Sequence, residues 1–231
     1  MIQIMSKFTR QMEKWKGKFG KEYTNRNALS LEEMEFLYKR KYGITRTEMN
    51  LKFLGELNRC ISILEIGSNI GNELICLQKI GFKKLYGIEL QEYAVELSKA
   101  KTKNINIIQG SAFEIPFKRH SFDLVFTSGL LIHISPSEIN EVLAEIYRCT
   151  RDLCWGFEYY SDEYTEVNYR GHTELLWKTN FAKLYLECFN DLELIQEEHY
   201  KYLDNDNIDS MFLLRKRKMN SLFHKPEEEL Q

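Results

Sequence analysis

From Cys60 onward, short apolar runs alternate with longer stretches whose apolar residues recur at helical spacing. "ISILEIG" (61–67) predicts a buried strand, and "NELICLQKIG" (72–81) a helix ending at Gly81. A second strand follows at "KLYGIEL" (84–90), then a helix at "EYAVELSKAK" (92–101). "INIIQG" (105–110) and "FDLVFTSG" (122–129) predict the third and fourth strands. In "SPSEINEVLAEIYRC" (135–149), Ser135 reads as the cap, Pro136 as the first helical residue and Glu138 as the acid of a capping box. Ile139, Val142, Leu143, Ile146 and Tyr147 then form one apolar stripe. "LCWGFEYY" (153–160) is the fifth strand and "FAKLYLECF" (181–189) a helix. "ELIQEEHYKYL" (193–203) and "IDSMFLLRK" (208–216) are two closing strands with no helix between them.

Continuous apolar strands alternating with helices predict an α/β fold, with a mostly parallel sheet covered on both faces. The last two strands predict an antiparallel hairpin at one edge. Ahead of this unit, residues 1–58 read as helices, with a loop around "FGKEYTNRNALS" (19–30). Ser30 and Glu33 form a capping box that opens a helix at "LEEMEFLYKRKYG" (31–43), which Gly43 closes. The expected division is an N-terminal helical part over residues 1–58, the α/β unit over 59–216 and a charged, solvated tail over 217–231.

Composition narrows the class. Lys plus Arg number 32 and Asp plus Glu 34, so no basic face announces a nucleic acid partner. The five cysteines are odd in number and lack zinc-ligand spacing, so buried free thiols in a reducing compartment are expected and no metal site is. The N-terminus has a five-residue apolar start before a lysine-rich run, which fits neither a signal peptide nor a membrane span. A soluble, cytoplasmic protein is the expectation.

The first strand runs into "GSNIG", which places Gly67 and Gly71 at a strand–helix turn. Such a turn lets backbone approach a ligand beside exposed helix N–H groups. The spacing is neither the dinucleotide fingerprint nor a P-loop. Glu89 ends the second strand, where an acid can accept both hydroxyls of a ribose. Ser111 and Ala112 follow the third strand, where an adenine ring would lie, and Glu65 precedes the glycine loop.

Together these features resemble the class I S-adenosylmethionine-dependent methyltransferases, whose seven-stranded sheet ends in a reversed hairpin. The resemblance implies S-adenosylmethionine as cofactor. It assigns the cofactor to Glu65, Gly67, Ser68, Asn69, Gly71, Glu89, Leu90, Ser111, Ala112 and Ser128. Longer stretches, "EIGSNIGNEL", "FTSGLLIHISP", "FEYYSDEYTEVNYRGHTELLWK" and "FGKEYTNRN", resemble the pseudaminic acid biosynthesis-associated methylases from about Trp15 to Phe189. That group is linked to making or decorating bacterial flagellar and capsular sugars. Thr179-Asn180 and Ser161-Asp162 depart from its usual pattern on the presumed acceptor side. N-terminal helices commonly cover the crevice in this architecture. The likeness thus implies that Arg26 meets the cofactor's carboxylate and that Tyr23 closes over its sulfonium end.

Methyl transfer requires an aligned acceptor and, for a hydroxyl, a base. His133, after the fourth strand, and His172, in "NYRGHTELLWK", compete for that role, with Tyr169 beside the second. His133 can equally shape its loop. Arg170 and Lys178, with Glu158 and Tyr159 at the end of the fifth strand, suit an anionic acceptor, since arginine grips carboxylate or phosphate bidentately. The expected activity is methyl transfer, to oxygen in the first instance, onto a small anionic sugar, nucleotide-sugar or phosphoryl group in surface-glycan assembly. Two alternatives stay open: methylation of another small metabolite, and a cofactor-binding partner without catalysis. The fourth strand lacks the Asn/Asp-Pro-Pro-aromatic signature of base methylation, and no acid cluster suggests a metal-dependent catechol enzyme.

Overall fold

The computed structural model describes residues 9–217, so the apolar start of the chain and the charged tail beyond Arg217 lie outside the described residues. Seven strands form one sheet: β1 (Ser62–Ile66), β2 (Lys84–Glu89), β3 (Ile105–Gln109), β4 (Phe122–Ser128), β5 (Thr150–Tyr159), β8 (Leu192–Lys201) and β9 (Ile208–Lys216). Their order is β3-β2-β1-β4-β5-β9-β8. The first five run parallel, and β9 joins β5 and β8 antiparallel. The Rossmann-like sheet with its reversed terminal pair is the fold that the strand–helix pattern predicts.

Strand periodicity sorts the core into two layers. Along β9, Met211 and Leu213 pack on one face while Phe212 and Leu214 pack on the other. Helices α4 (Arg46–Leu54), α5 (Asn72–Lys79) and α6 (Glu92–Lys101) cover the first face. Helices α7 (Ile139–Cys149) and α8 (Phe181–Cys188) cover the second. Among the described residues no helix is long and apolar enough to cross a membrane.

Several local expectations are corrected. "FGKEYTNRN" is helical: α1 (Arg10–Lys16) and α2 (Lys18–Arg26) precede a short loop, and α3 (Leu31–Tyr42) opens on the expected Ser30–Glu33 capping box. Gly20 masks the helix in the sequence, because glycine is a poor helix former. A Cβ there would lie 1.8 Å from the Trp15 carbonyl oxygen and 2.5 Å from Gln91 Nε2, so close packing excludes a side chain. Helix α7 starts at Ile139, not Pro136; the Ser135 hydroxyl bonds the Glu138 carboxylate at 2.9 Å instead of capping a backbone amide. Strand β5 begins at Thr150, before the expected start. A small antiparallel pair, β6 (Thr165–Glu166) with β7 (Trp177–Lys178), was not signalled by any apolar run. Cys76, Cys149 and Cys154 are buried thiols, but Cys60 and Cys188 are exposed.

Candidate active site

The chain reverses direction of winding between β1 and β4, and ligands of open α/β sheets bind outside the strand ends at such a switch point. A cavity of about 530 Å³ lies there, within the range of small-molecule sites. One wall is the turn after β1. Gly67, Asn69 and Gly71 all take positive φ, which packs successive amides into a tight concave turn. At Gly67 (φ +75°) a Cβ would also strike Leu130 Cδ1 at 2.8 Å, so glycine is required. The N–H groups of Gly67 and Ser68 donate to the Ile88 carbonyl at 2.9 and 3.0 Å, joining this turn to the end of β2.

Glu89 fixes the same junction. Its Oε2 accepts from Asn69 N–H and its Oε1 from Gln91 N–H, both at 2.8 Å. Each oxygen keeps a lone pair for a further donor. Burial raises its carboxyl pKa, and the backbone bonds oppose that rise. Glu65 lies at the cavity floor, and its Oε2 is buried without a hydrogen-bond partner among the described residues. Burial, with Glu73 nearby, pushes its pKa well up. Ser111 and Ala112 line the wall beyond β3.

The opposite wall comes from the β4–α7 connection. His133 is buried, with Nδ1 at 2.7 Å from the Leu175 carbonyl oxygen. A carbonyl only accepts, so Nδ1 carries the proton and Nε2 keeps its lone pair. Burial lowers its pKa to about 4, leaving the ring neutral at pH 7. The rings of Trp15 and Tyr169 stand 4.5 and 5.5 Å from it. Glu158, 1 % exposed, receives the amides of Leu130 (3.2 Å) and Ile132 (3.4 Å) on its two oxygens, so it clamps the loop that carries His133. Burial raises its carboxyl to about 7.

Helices α1 and α2 roof the cavity. Gln91 ties them down, donating to the Trp15 carbonyl at 2.8 Å and accepting from Thr24 Oγ1 at 3.2 Å. From the other side Phe19 packs edge-on to Tyr169 and His172, and Arg10 pairs with Glu174 at 2.6 Å.

Of the residues assigned to the cofactor, all but Gly71 line this one cavity; Gly71 caps α5 and faces Ile107 and Thr102. His133, Tyr169, Tyr159 and Arg170 line it too. His172, Glu158 and Lys178 do not. His172 sits behind Tyr169, Glu158 under the loop, and Lys178 bonds Asn207. The sequence reading missed Trp15, Tyr38, Lys41, Tyr42, Gln91 and Asp209, which complete the walls. Only Trp15 had a signal, since it opens the stretch resembling the methylase group.

These acceptors fit S-adenosylmethionine: an acid with spare lone pairs beside a glycine turn, and a buried carboxyl at the floor whose Oε2 has no hydrogen-bond partner among the described residues. A family model described as "Methyltransferase domain" matches residues 64–153. Phosphoethanolamine N-methyltransferase of Plasmodium falciparum is 23 % identical over 215 residues, covering 81 % of this chain and 80 % of that one. Demethylmenaquinone methyltransferase of Lactococcus lactis is 31 % identical over 134 residues, 55 % of this chain and 49 % of that one. Among solved structures, Burkholderia thailandensis 1,6-didemethyltoxoflavin-N1-methyltransferase, with bound 1,6-didemethyltoxoflavin and S-adenosylhomocysteine, superposes with TM-score 0.67 at 14 % identity. It covers 93 % of this chain and 94 % of that one, a likeness of fold. The domain match runs from β1 into the start of β5, and the fold and the cavity's acceptors agree with S-adenosylmethionine as the cofactor.

Proposed function

We propose that the protein methylates an oxygen of a small anionic acceptor, a sugar, nucleotide-sugar or phosphoryl compound, in bacterial surface-glycan assembly. The observation that carries this is a single cavity joining the glycine turn and Glu89 to His133, Tyr169 and Arg170. The glycan setting, capsular or flagellar, is supported by the stretches that resemble the pseudaminic acid biosynthesis-associated methylases.

In this reading Glu89 accepts the ribose hydroxyls, Ser111 and Ala112 border the adenine, and the Gly67–Asn69 turn packs against the methionine part. Glu65 meets the α-ammonium and Arg26 the carboxylate. Tyr23 and Ser128 border the sulfonium end. When bound, S-adenosylmethionine supplies a methyl group activated for in-line displacement. The chain aligns the acceptor oxygen with that methyl carbon and excludes water beneath α1 and α2, which act as a lid. His133 Nε2, whose lone pair is free, would take the proton that the acceptor hydroxyl gives up as it is methylated. Glu158 holds the loop that positions His133, and His172 braces Phe19 of the lid.

Transfer to nitrogen is the second reading, favoured by the likeness to a phosphoethanolamine N-methyltransferase over most of the chain. Radiolabelled methyl transfer to panels of amino sugars, nucleotide-sugars, phosphomonoesters and phosphoramidates tests both. Transfer is expected to an anionic acceptor, with kcat falling by about 10²–10⁴-fold in His133→Asn for an oxygen acceptor. An amine acceptor whose methylation ignores His133→Asn would favour the second reading, and transfer confined to neutral acceptors would refute both.

A further inference from the structure

Part of the cavity wall is formed by Tyr38, Lys41, Tyr42, Phe157, Tyr159 and Asp209, gathered from α3, β5 and β9. Lys41, in the last turn of α3, places its ammonium 3.8 Å from the Tyr202 ring centre, 5.1 Å from Tyr42 and 5.9 Å from Tyr159. A cage of aromatic rings beside a buried acid ordinarily recognises a cationic ligand. Here the chain's own lysine already fills that position. The acid, Asp209, is engaged as well: it accepts from the Tyr42 hydroxyl, and Tyr202 OH lies 3.1 and 3.3 Å from its two oxygens.

Lys41 therefore has ring contacts but no carboxylate oxygen among the described residues within the 4.0 Å of an ion pair. Burial lowers its pKa, with Asp209 partly restoring it, so the ammonium is poorly hydrated where it stands. Its three N–H donors do not find acceptors in the tyrosine rings. Lys178, outside the cavity lining, stands 5.6 Å from the centre of Tyr159, one of these three rings. Asp209 and Asp204 both act on Lys41 through space, and neither reaches its ammonium as an ion pair. The backbone holds Lys41 in place: the Leu203 N–H donates to the Lys41 carbonyl at 2.9 Å, tying α3 to the turn between β8 and β9.

We propose that Lys41 is the seat of the acceptor's oxyanion, a phosphate or carboxylate group, at this part of the wall. The inference rests on the small anionic acceptor proposed above, and it gives that acceptor an orientation. The anionic group lies among Lys41, Tyr42 and Tyr159. The rest of the molecule reaches along Tyr159 and Tyr169 toward His133.

The test titrates the protein saturated with S-adenosylhomocysteine against inorganic phosphate, glucose 6-phosphate, glucuronate and glucose. The wild type is expected to bind the anions and not glucose. Lys41→Met weakens anion binding by about tenfold or more, Lys41→Arg keeps it within a few-fold, and S-adenosylhomocysteine affinity is unchanged in both. The phosphate and glucuronate arms tell which oxyanion fits. Anion binding that is equal in wild type and Lys41→Met, at matched melting temperatures, overturns the proposal. So does a wild type, saturated with S-adenosylhomocysteine, that binds none of the anions. A wild type that fails to bind S-adenosylhomocysteine fails the parent reading instead.

Discussion

Glu158 and His133 occupy the two sides of one loop, and burial shifts them in opposite directions. The Glu158 carboxyl rises to about 7 and the His133 imidazole falls to about 4. Between pH ~4.5 and 7 the native protein keeps a proton on Glu158 that the unfolded chain has lost, so this group's contribution to stability falls as pH rises. Between pH ~4 and 6.5 the unfolded chain protonates its histidine while the native ring stays neutral, so that contribution rises with pH. Each shift corresponds to at most about 3 kcal/mol, and the two largely offset. Glu158→Gln should therefore make stability increase more steeply from pH 5 to 6.5 than in wild type, and His133→Asn should turn the trend downward. Urea denaturation midpoints at the two pH values read both slopes. Parallel pH profiles for wild type and variants would mean that neither group titrates differently on folding.

Helix α4 shows how an element outside the sheet is anchored to it. Arg46 is fully buried, with Nε 2.8 Å from the Glu73 carboxylate on α5, and Asn50 donates to the same carboxylate at 2.7 Å. Breaking such a pair strands a buried charge, which costs about 3–5 kcal/mol. Arg46→Met should lose that much in chemical denaturation, and Arg46→Met with Glu73→Met should recover most of it. A single variant with wild-type stability would contradict the reading. Neither partner was legible in the sequence, because Arg46 opens a nine-residue helix and looks like any surface arginine. The sheet was legible: β9 matches the predicted strand residue for residue, since a strand buried on both faces writes a continuous apolar run into "IDSMFLLRK". The start of α7 was misplaced because a turn and a first helical turn share the same Ser-Pro-x-Glu chemistry.

Across the molecule, the cavity has two sides that differ in how they are encoded. The side bearing Gly67, Asn69 and Glu89 comes from two adjacent strand–turn–helix units, so its residues stand close together in the sequence and could be read there. The other side brings Lys41 of α3 to Tyr159, Arg170 and Asp209, which lie more than a hundred residues further along the chain. Tyr159 and Arg170 could be read from the end of the fifth strand and its loop, but no local pattern links Lys41 and Asp209 to them, and only the fold brings those two in. The roof is similar: Trp15 meets His133, and Arg10 meets Glu174, through tertiary packing alone. The glycine turn and Glu89 are the part that every functional step above depends on. Calorimetric titration of S-adenosylmethionine and S-adenosylhomocysteine into wild type and Glu89→Ala examines that part. If Glu89 accepts the ribose hydroxyls as proposed, removing it should weaken binding by about 10- to 100-fold or more. Wild-type binding lost in Glu89→Ala is the expected result; equal affinity in the two proteins, or no binding to either, would contradict a cofactor seated at this turn.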